Sequence, residues 1–182
     1  MPIADDALRA ELARRIYAVA HLTGTFTLRS GRVSNEYFDK YQFESDPVLL
    51  ADLAEAMAPL VPSGTEVLAG LELGGVPVVT ALSRVTGIPA AFVRKKAKEY
   101  GTARFAEGAA VEGRTVLVVE DVVTSGGQVV LSTADLRGIG ATVTDVVCVI
   151  DRSEGGIEAL AAEGLTLSSV VARADLDAAA GS

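Results

Sequence analysis

From Asp5 to Ala20 the apolar positions fall on one helical face. Leu8, Leu12, Ile16 and Val19 recur at three- and four-residue steps, with Arg9, Arg14 and Arg15 elsewhere. Phe26–Phe38 breaks that rhythm, because short extended pieces flank Ser30-Gly31-Arg32, which predicts a hairpin. Pro47 suits the first turn of a helix running to about Ala58, before Pro59 and Pro62. From Glu66 onward apolar runs alternate with helical patterns. The runs are Val67–Ala69, Ala90–Val93, Thr115–Val119, Val143–Ile150 and Leu165–Val171, and between them fall Gly75–Thr86, Gly126–Arg137 and Gly155–Ala162. Short apolar strands separated by helices predict an α/β fold, a central parallel sheet buried on both faces and flanked by helices. The N-terminal helix and hairpin do not alternate in this way and read as an added layer. One domain is expected over residues 1–182: the helix and hairpin in 1–45, the α/β core in 46–172, and a tail in 173–182 whose Ala-rich end, Ala178–Ser182, should fray. In open α/β sheets ligands bind beyond the carboxyl ends of the strands, so the loops after Ala69, Val93, Val119 and Ile150 are where chemistry is expected.

The 182 residues are 49% hydrophobic and 22% charged, which suits a globular chain with a proper core. Lys and Arg total 16 against 24 Asp and Glu, a formal charge of −8 that argues against a nucleic-acid or anionic-membrane partner. The charge is uneven. Arg94, Lys95, Lys96, Lys98 and Arg104 are opposed only by Glu99, leaving +4 in that segment and −12 elsewhere. The longest stretches free of charge, Ile16–Leu28 and Val122–Ala134, have 13 residues each, short of the roughly 18 that a membrane span needs. With Asp5 and Asp6 near its start, the chain is expected to lack a signal peptide and to work in the cytoplasm. A single cysteine, Cys148, is expected in the core, and the single histidine, His21, as a capping group at a helix end; together they leave no zinc cluster.

Thr115–Gln128 reads TVLVVEDVVTSGGQ. A buried strand delivers Glu120 and Asp121 to its exit, and Thr124-Ser125-Gly126-Gly127 then opens a helix. Glycines let backbone N–H groups turn inward, the two hydroxyls add donors, and the helix N-terminus adds positive potential, so the segment can cup one phosphate monoester. It is neither a Walker loop nor a dinucleotide fingerprint. The paired acids would repel that phosphate unless they accept hydrogen bonds from sugar hydroxyls or help hold a hydrated Mg²⁺.

Four apolar residues, two acids, a two-residue spacer and T-S-G-G together resemble the phosphoribosyl diphosphate-binding motif of type I phosphoribosyltransferases. The resemblance implies Glu120 and Asp121 at the ribose hydroxyls, the backbone of Val122 and Val123 beside them, and Thr124, Ser125, Gly126, Gly127 and Gln128 around the 5-phosphate. Three further segments resemble the orotate branch of that family. FTLRSGRVSNEYF, Phe26–Phe38, is similar to the segment of its hood that covers the base; it places Arg29, where many members have lysine, with Tyr37 and Phe38 at the base. Arg94-Lys95-Lys96-Ala97-Lys98-Glu99-Tyr100-Gly101 is similar to its basic loop, with Arg94, Lys95 and Lys98 at the matching positions and Tyr100 where some members carry histidine. Mobile cations there would neutralise a departing diphosphate. Val149–Gly156, V-x-D-R-x-E-G-G in form, puts Arg152 at a strand exit, where a guanidinium fork is suited to the orotate carboxylate; Thr124 joins the base contacts. Gly70–Gly75 fits the remaining loop, with Leu73 and Gly74 where some members carry a Tyr-Lys pair.

The activity so implied is transfer of the phosphoribosyl group from 5-phosphoribosyl 1-diphosphate to orotate, with Mg²⁺, in a homodimer. Lys98, Arg94 and Asp121 are the residues expected to act in catalysis. Only 26 residues follow Gly156, so a form without a decarboxylase domain is expected. Two alternatives stand. A phosphoribosyltransferase for another base would share Glu120–Gln128 without needing Arg152. A non-catalytic regulator of the same fold that binds RNA or DNA would be expected to have a basic exterior and to lose Lys98.

Overall fold

The computed structural model describes residues 5–27, 31–95, 105–152 and 156–181. Helix α1, Asp6–Ala20, starts where the Asp5 carboxylate accepts hydrogen bonds from the Ala7 and Leu8 N–H groups, both at 3.0 Å. It runs directly into strand β1, His21–Thr27, which pairs antiparallel with β2, Val33–Phe38; this two-stranded sheet is the hood. A single turn of helix, α2 (Tyr41–Ser45), leads to α3 (Pro47–Met57), which has Pro47 in its first turn and the Asp46 side chain as its cap.

The core sheet follows: β3 (Val67–Leu71), α4 (Gly75–Thr86), β4 (Ala90–Val93), β5 (Ala106–Gly108), β6 (Thr115–Val123), α5 (Gly127–Gly138), β7 (Thr142–Asp151), α6 (Gly156–Ala162), β8 (Thr166–Ala172) and α7 (Arg173–Ala180). Its strand order is β5-β4-β3-β6-β7-β8. Every pairing is parallel except that of the edge strand β5 with β4. The sheet is therefore mostly, not wholly, parallel. One face packs Leu117, Val119, Val147 and Val149 against α1, α3, α4 and Phe43; the other packs Val116, Val118 and Val146 against Val129, Leu136 and Leu160.

Two boundaries differ from the periodicity in ways that matter for the site. β6 does not end at Val119 but stays hydrogen-bonded to β7 through Val123, so Glu120 and Asp121 lie inside the strand. The expected tail contains a helix. The Ala172 N–H donates to the Asp175 side chain at 2.7 Å, Leu176 is buried, and Arg9 Nε reaches Asp175 Oδ1 at 3.1 Å, so α7 is docked on α1 rather than frayed along its length. His21 caps the end of α1 as expected and has a further role. Its backbone N–H closes α1 on Tyr17, and its ring stacks on Tyr17 and bonds Glu36 Oε2 at 2.8 Å across the hairpin. Cys148 is fully buried in β7. Among the described residues no helix is long and apolar enough to cross a membrane.

Leu53, with no exposure at all, sits in the layer between α3 and the sheet. Leu53→Ala is expected to lower unfolding stability by about 2–5 kcal/mol, measured by urea denaturation.

Candidate active site

The carboxyl ends of β3, β6 and β7 converge. Gly70 pairs with Val119, and Val123 pairs with Asp151. At the end of β6 the Asp121 carboxylate is 0% exposed. Its Oδ1 accepts from the Val122 N–H at 2.7 Å, and its Oδ2 lies 2.5 Å from Lys40 Nζ. Lys40 comes from the turn between β2 and α2. Burial works against its charge, but the hydrogen bond and charge of Asp121 outweigh that and raise its pKa above the usual lysine value. Glu44, on α2, is only 6% exposed. Burial, and then the hydrogen bond and charge of Asp121, push its carboxyl up to about 9. Glu44 thus holds its proton far more tightly than an exposed carboxyl does. Glu120 is pushed up to about 8 by burial and by Asp121, against the pull of Lys40 and Lys95.

The loop after β3 is shaped to this cluster. A Cβ at Gly74 would collide with the Asp121 carboxylate, and one at Gly75 would come within 2.7 Å of the Val119 carbonyl and 3.0 Å of Glu120 Oε2. A lysine at position 74, as in the Tyr-Lys form of the loop, has no room while Asp121 and Glu44 occupy that space. Leu73 is exposed, and the Glu72–Leu73 peptide is cis. Glu72 Oε1 accepts from the Lys95 N–H at 2.8 Å, which ties this loop to the start of the basic segment.

Beyond Asp121, Val122 and Val123 turn their side chains into opposite hydrophobic layers and offer only backbone to the site. Thr124 and Ser125 are exposed, Gly126 takes φ +72°, and α5 begins at Gly127. The left-handed glycine lets the chain double back so that the first-turn N–H groups of α5 face outward as a cup. Gln128 adds less than expected, because its side-chain amide donates to Ser132 along its own helix at 3.0 Å.

On the base side, the Arg152 N–H donates to the Val123 carbonyl at 2.9 Å, and its guanidinium lies 5.0 Å from the centre of the Phe38 ring. Both line a cavity of about 350 Å³, with Tyr37, His21, Tyr17 and Arg173 among the other walls. Tyr37 also meets Phe26, their ring centres 5.5 Å apart. Arg94 leaves β4 with its Nε 3.8 Å from Glu107 Oε1 on β5, and Lys95 is exposed. Arg29, Lys96, Lys98, Tyr100, Arg104, Ser153 and Glu154 lie outside the described residues.

The structure therefore brings together Glu120, Asp121, the Thr124–Gln128 cup, Lys95, Phe38 and Arg152. Sequence reasoning missed Lys40, Glu44 and Glu72 as members of this group. Its available signal was the charge pair of Lys40 and Glu44, four residues apart and flanking the buried Phe43. As for metal, no trio of His, Cys, Asp or Glu among the described residues is arranged to hold an ion. Glu120 Oε2 is nevertheless buried without a hydrogen-bond partner.

The Glu44 value of about 9 lies above its ordinary 4.5, so the folded chain keeps a proton that the unfolded chain gives up in that window. Stability from this group is complete below the lower value and declines as pH rises through the higher one. Urea unfolding at about pH 6 and about pH 8.5 should show the wild type losing stability, by at most about 1.4 kcal/mol per pH unit from this group, and Glu44→Gln losing less. Parallel losses would mean that Glu44 is ionised in the folded chain.

Residues 42–172 match the family model described as "Phosphoribosyl transferase domain". An orotate phosphoribosyltransferase from Nocardioides sp. is 56% identical over 172 residues, covering 94% of this chain and 96% of that protein. One from Methanocella arvoryzae is 44% identical over 153 residues, covering 84% and 87%. Among solved structures, Mycobacterium tuberculosis H37Rv orotate phosphoribosyltransferase in complex with Fe(III) dicitrate superposes with a TM-score of 0.84 at 38% identity, covering 93% of this chain and 98% of that one. The same enzyme in complex with 5-phospho-alpha-D-ribosyl 1-diphosphate gives 0.80 at 35% identity, covering 93% and 99%. By the family model over residues 42–172 and the identity of these relatives along most of its length, this chain belongs to the phosphoribosyltransferase family, in its orotate phosphoribosyltransferase branch.

Proposed function

We propose that the chain transfers the phosphoribosyl group of 5-phosphoribosyl 1-diphosphate to orotate, giving orotidine 5′-phosphate and diphosphate, as a step of pyrimidine nucleotide synthesis. The observation that carries this reading is the register of β6 with β7, which sets the phosphate cup beside the Arg152–Phe38 stack on one edge of the sheet. The names of the relatives, and the sugar diphosphate bound to the mycobacterial enzyme, point the same way.

In this reading the 5-phosphate rests on Thr124, Ser125, Gly126, Gly127 and the Gln128 backbone, while Glu120 and Asp121 face the ribose. Orotate lies against Phe38 and Tyr37, its carboxylate on Arg152, with Arg29 and Thr124 as further contacts. A bond forms from the orotate ring nitrogen to C1 as the C1–oxygen bond to diphosphate breaks, the bonding pair leaving with the diphosphate. Arg94, Lys95 and Lys98 meet that growing charge. No covalent nucleophile is required, so the chain acts by orientation and placed charge.

Mg²⁺ ordinarily takes one or two carboxylates plus substrate oxygens instead of a protein cage, which suits the partnerless Oε2 of Glu120. Glu120 would hold it, Asp121 being engaged by Lys40. When bound, the ion supplies charge neutralisation at the diphosphate. A homodimer, carried over from the family resemblance, and a cytoplasmic location, inferred from the sequence, complete the reading.

Purified chain with Mg²⁺ and 5-phosphoribosyl 1-diphosphate is expected to consume orotate, read as loss of its ultraviolet absorbance. Turnover of a purine base with orotate untouched would overturn the assignment. Arg152→Leu is expected to raise KM for orotate about ten- to a hundredfold, as fits a charge-assisted contact worth roughly 1.5–3 kcal/mol, and to change KM for the sugar diphosphate far less. Equal rises in both would place Arg152 away from the carboxylate.

A further inference from the structure

We propose that Lys40 is a positioning residue of the transfer site: its ammonium fixes the Asp121 carboxylate in the orientation in which the acid pair meets the sugar. The inference rests on the function read above. A carboxylate has two oxygens to place, and one of those on Asp121 is set by the Val122 N–H at 2.7 Å. The other is set by Lys40 at 2.5 Å, with no water contact available to Asp121, which is 0% exposed. A buried anion stripped of its cation takes up a proton, turns or admits water, and each of these spoils the geometry of an acceptor for sugar hydroxyls.

Lys40 also has the reach that this task needs. Its side chain remains 34% exposed, so the ammonium stands between the sealed acid and the open site. Its charge offsets that of Asp121, which would otherwise repel a substrate carrying three phosphate groups. Gly74 supplies the space, since a side chain there would displace the Asp121 carboxylate from the lysine. Lys40 lies two residues beyond Phe38 in the chain, so the segment that presents an aromatic ring to Arg152 also sets the ribose acid.

Calorimetry of 5-phosphoribosyl 1-diphosphate with Mg²⁺ tests this as a double-mutant cycle. Lys40→Met is expected to weaken binding about tenfold or more and to lower kcat, because a buried charge partner is lost. In an Asp121→Asn background the same substitution should change affinity less than about twofold, because the lysine acts through the acid. A residue that merely held the fold would weaken binding equally in both backgrounds. The doubly substituted chain carries neither charge, so its comparison with Asp121→Asn decides the matter even if Lys40→Met alone does not fold. Wild-type affinity in Lys40→Met, or an undiminished loss in the Asp121→Asn background, overturns the inference and leaves the function reading intact. A wild type that binds no sugar diphosphate overturns the function reading and the inference with it.

Discussion

A carboxylate sealed from water at the end of a strand buried on both faces cannot stand alone. Asp121 is that group, and much of the carboxyl edge of the sheet answers to it. The hood sends Lys40 to it, α2 brings Glu44 with its proton tightly held, and the loop after β3 gives up a side chain at Gly74 to leave room. Residues 40–44 and the loop at Gly74, some thirty residues later, thus meet the Asp121 carboxylate, and with them the turn after the hood, the short helix and the loop are fixed relative to β6. The sheet supplies the position; the buried charge supplies the reason why these particular neighbours surround it.

The same cluster resolves an electrostatic difficulty. Three acids at a site for a polyanion would repel it. Two of them, Glu44 and Glu120, are pushed up to about 9 and about 8, first by burial and then by Asp121, so both hold their protons more tightly than exposed carboxyls do. The third is matched by Lys40. The floor of the site therefore carries less negative charge than a count of its carboxyls suggests. The acidic exterior and the local basic segment are then free to act separately on approach and departure.

Elements with strong apolar periods were legible in the sequence. β4 and α4 have the boundaries that the pattern indicates, and the acid pair and Thr-Ser-Gly-Gly turn lie at the edge where βαβ logic places them. Lys40 and Glu44 were not legible as site residues, because beside Tyr41 and Gln42 they look like solvated charges; only the packing of α2 under Gly74 buries Glu44 and sets Lys40 on Asp121. α7 was hidden because an Ala-rich stretch has little apolar rhythm, and its docking stands on one buried leucine and the carboxylate of Asp175. The three-residue β5 is too short for any period to reveal. For Leu73-Gly74 the sequence told of missing side-chain contacts, and the structure adds the steric cause.

The antiparallel turn of β5 against β4 has a consequence for how this molecule can change. Arg94 donates its N–H to the Phe105 carbonyl at 3.0 Å, so the chain departs after Lys95 and comes back alongside its own point of departure. The connection between those two points is closed by an edge pairing, outside the central strands that carry the acids. Closing a longer or shorter connection there costs little, because the entropy grows only slowly with length. A change in the length of that connection is therefore borne at the edge of the sheet, while the central strands that aim the acids keep their register.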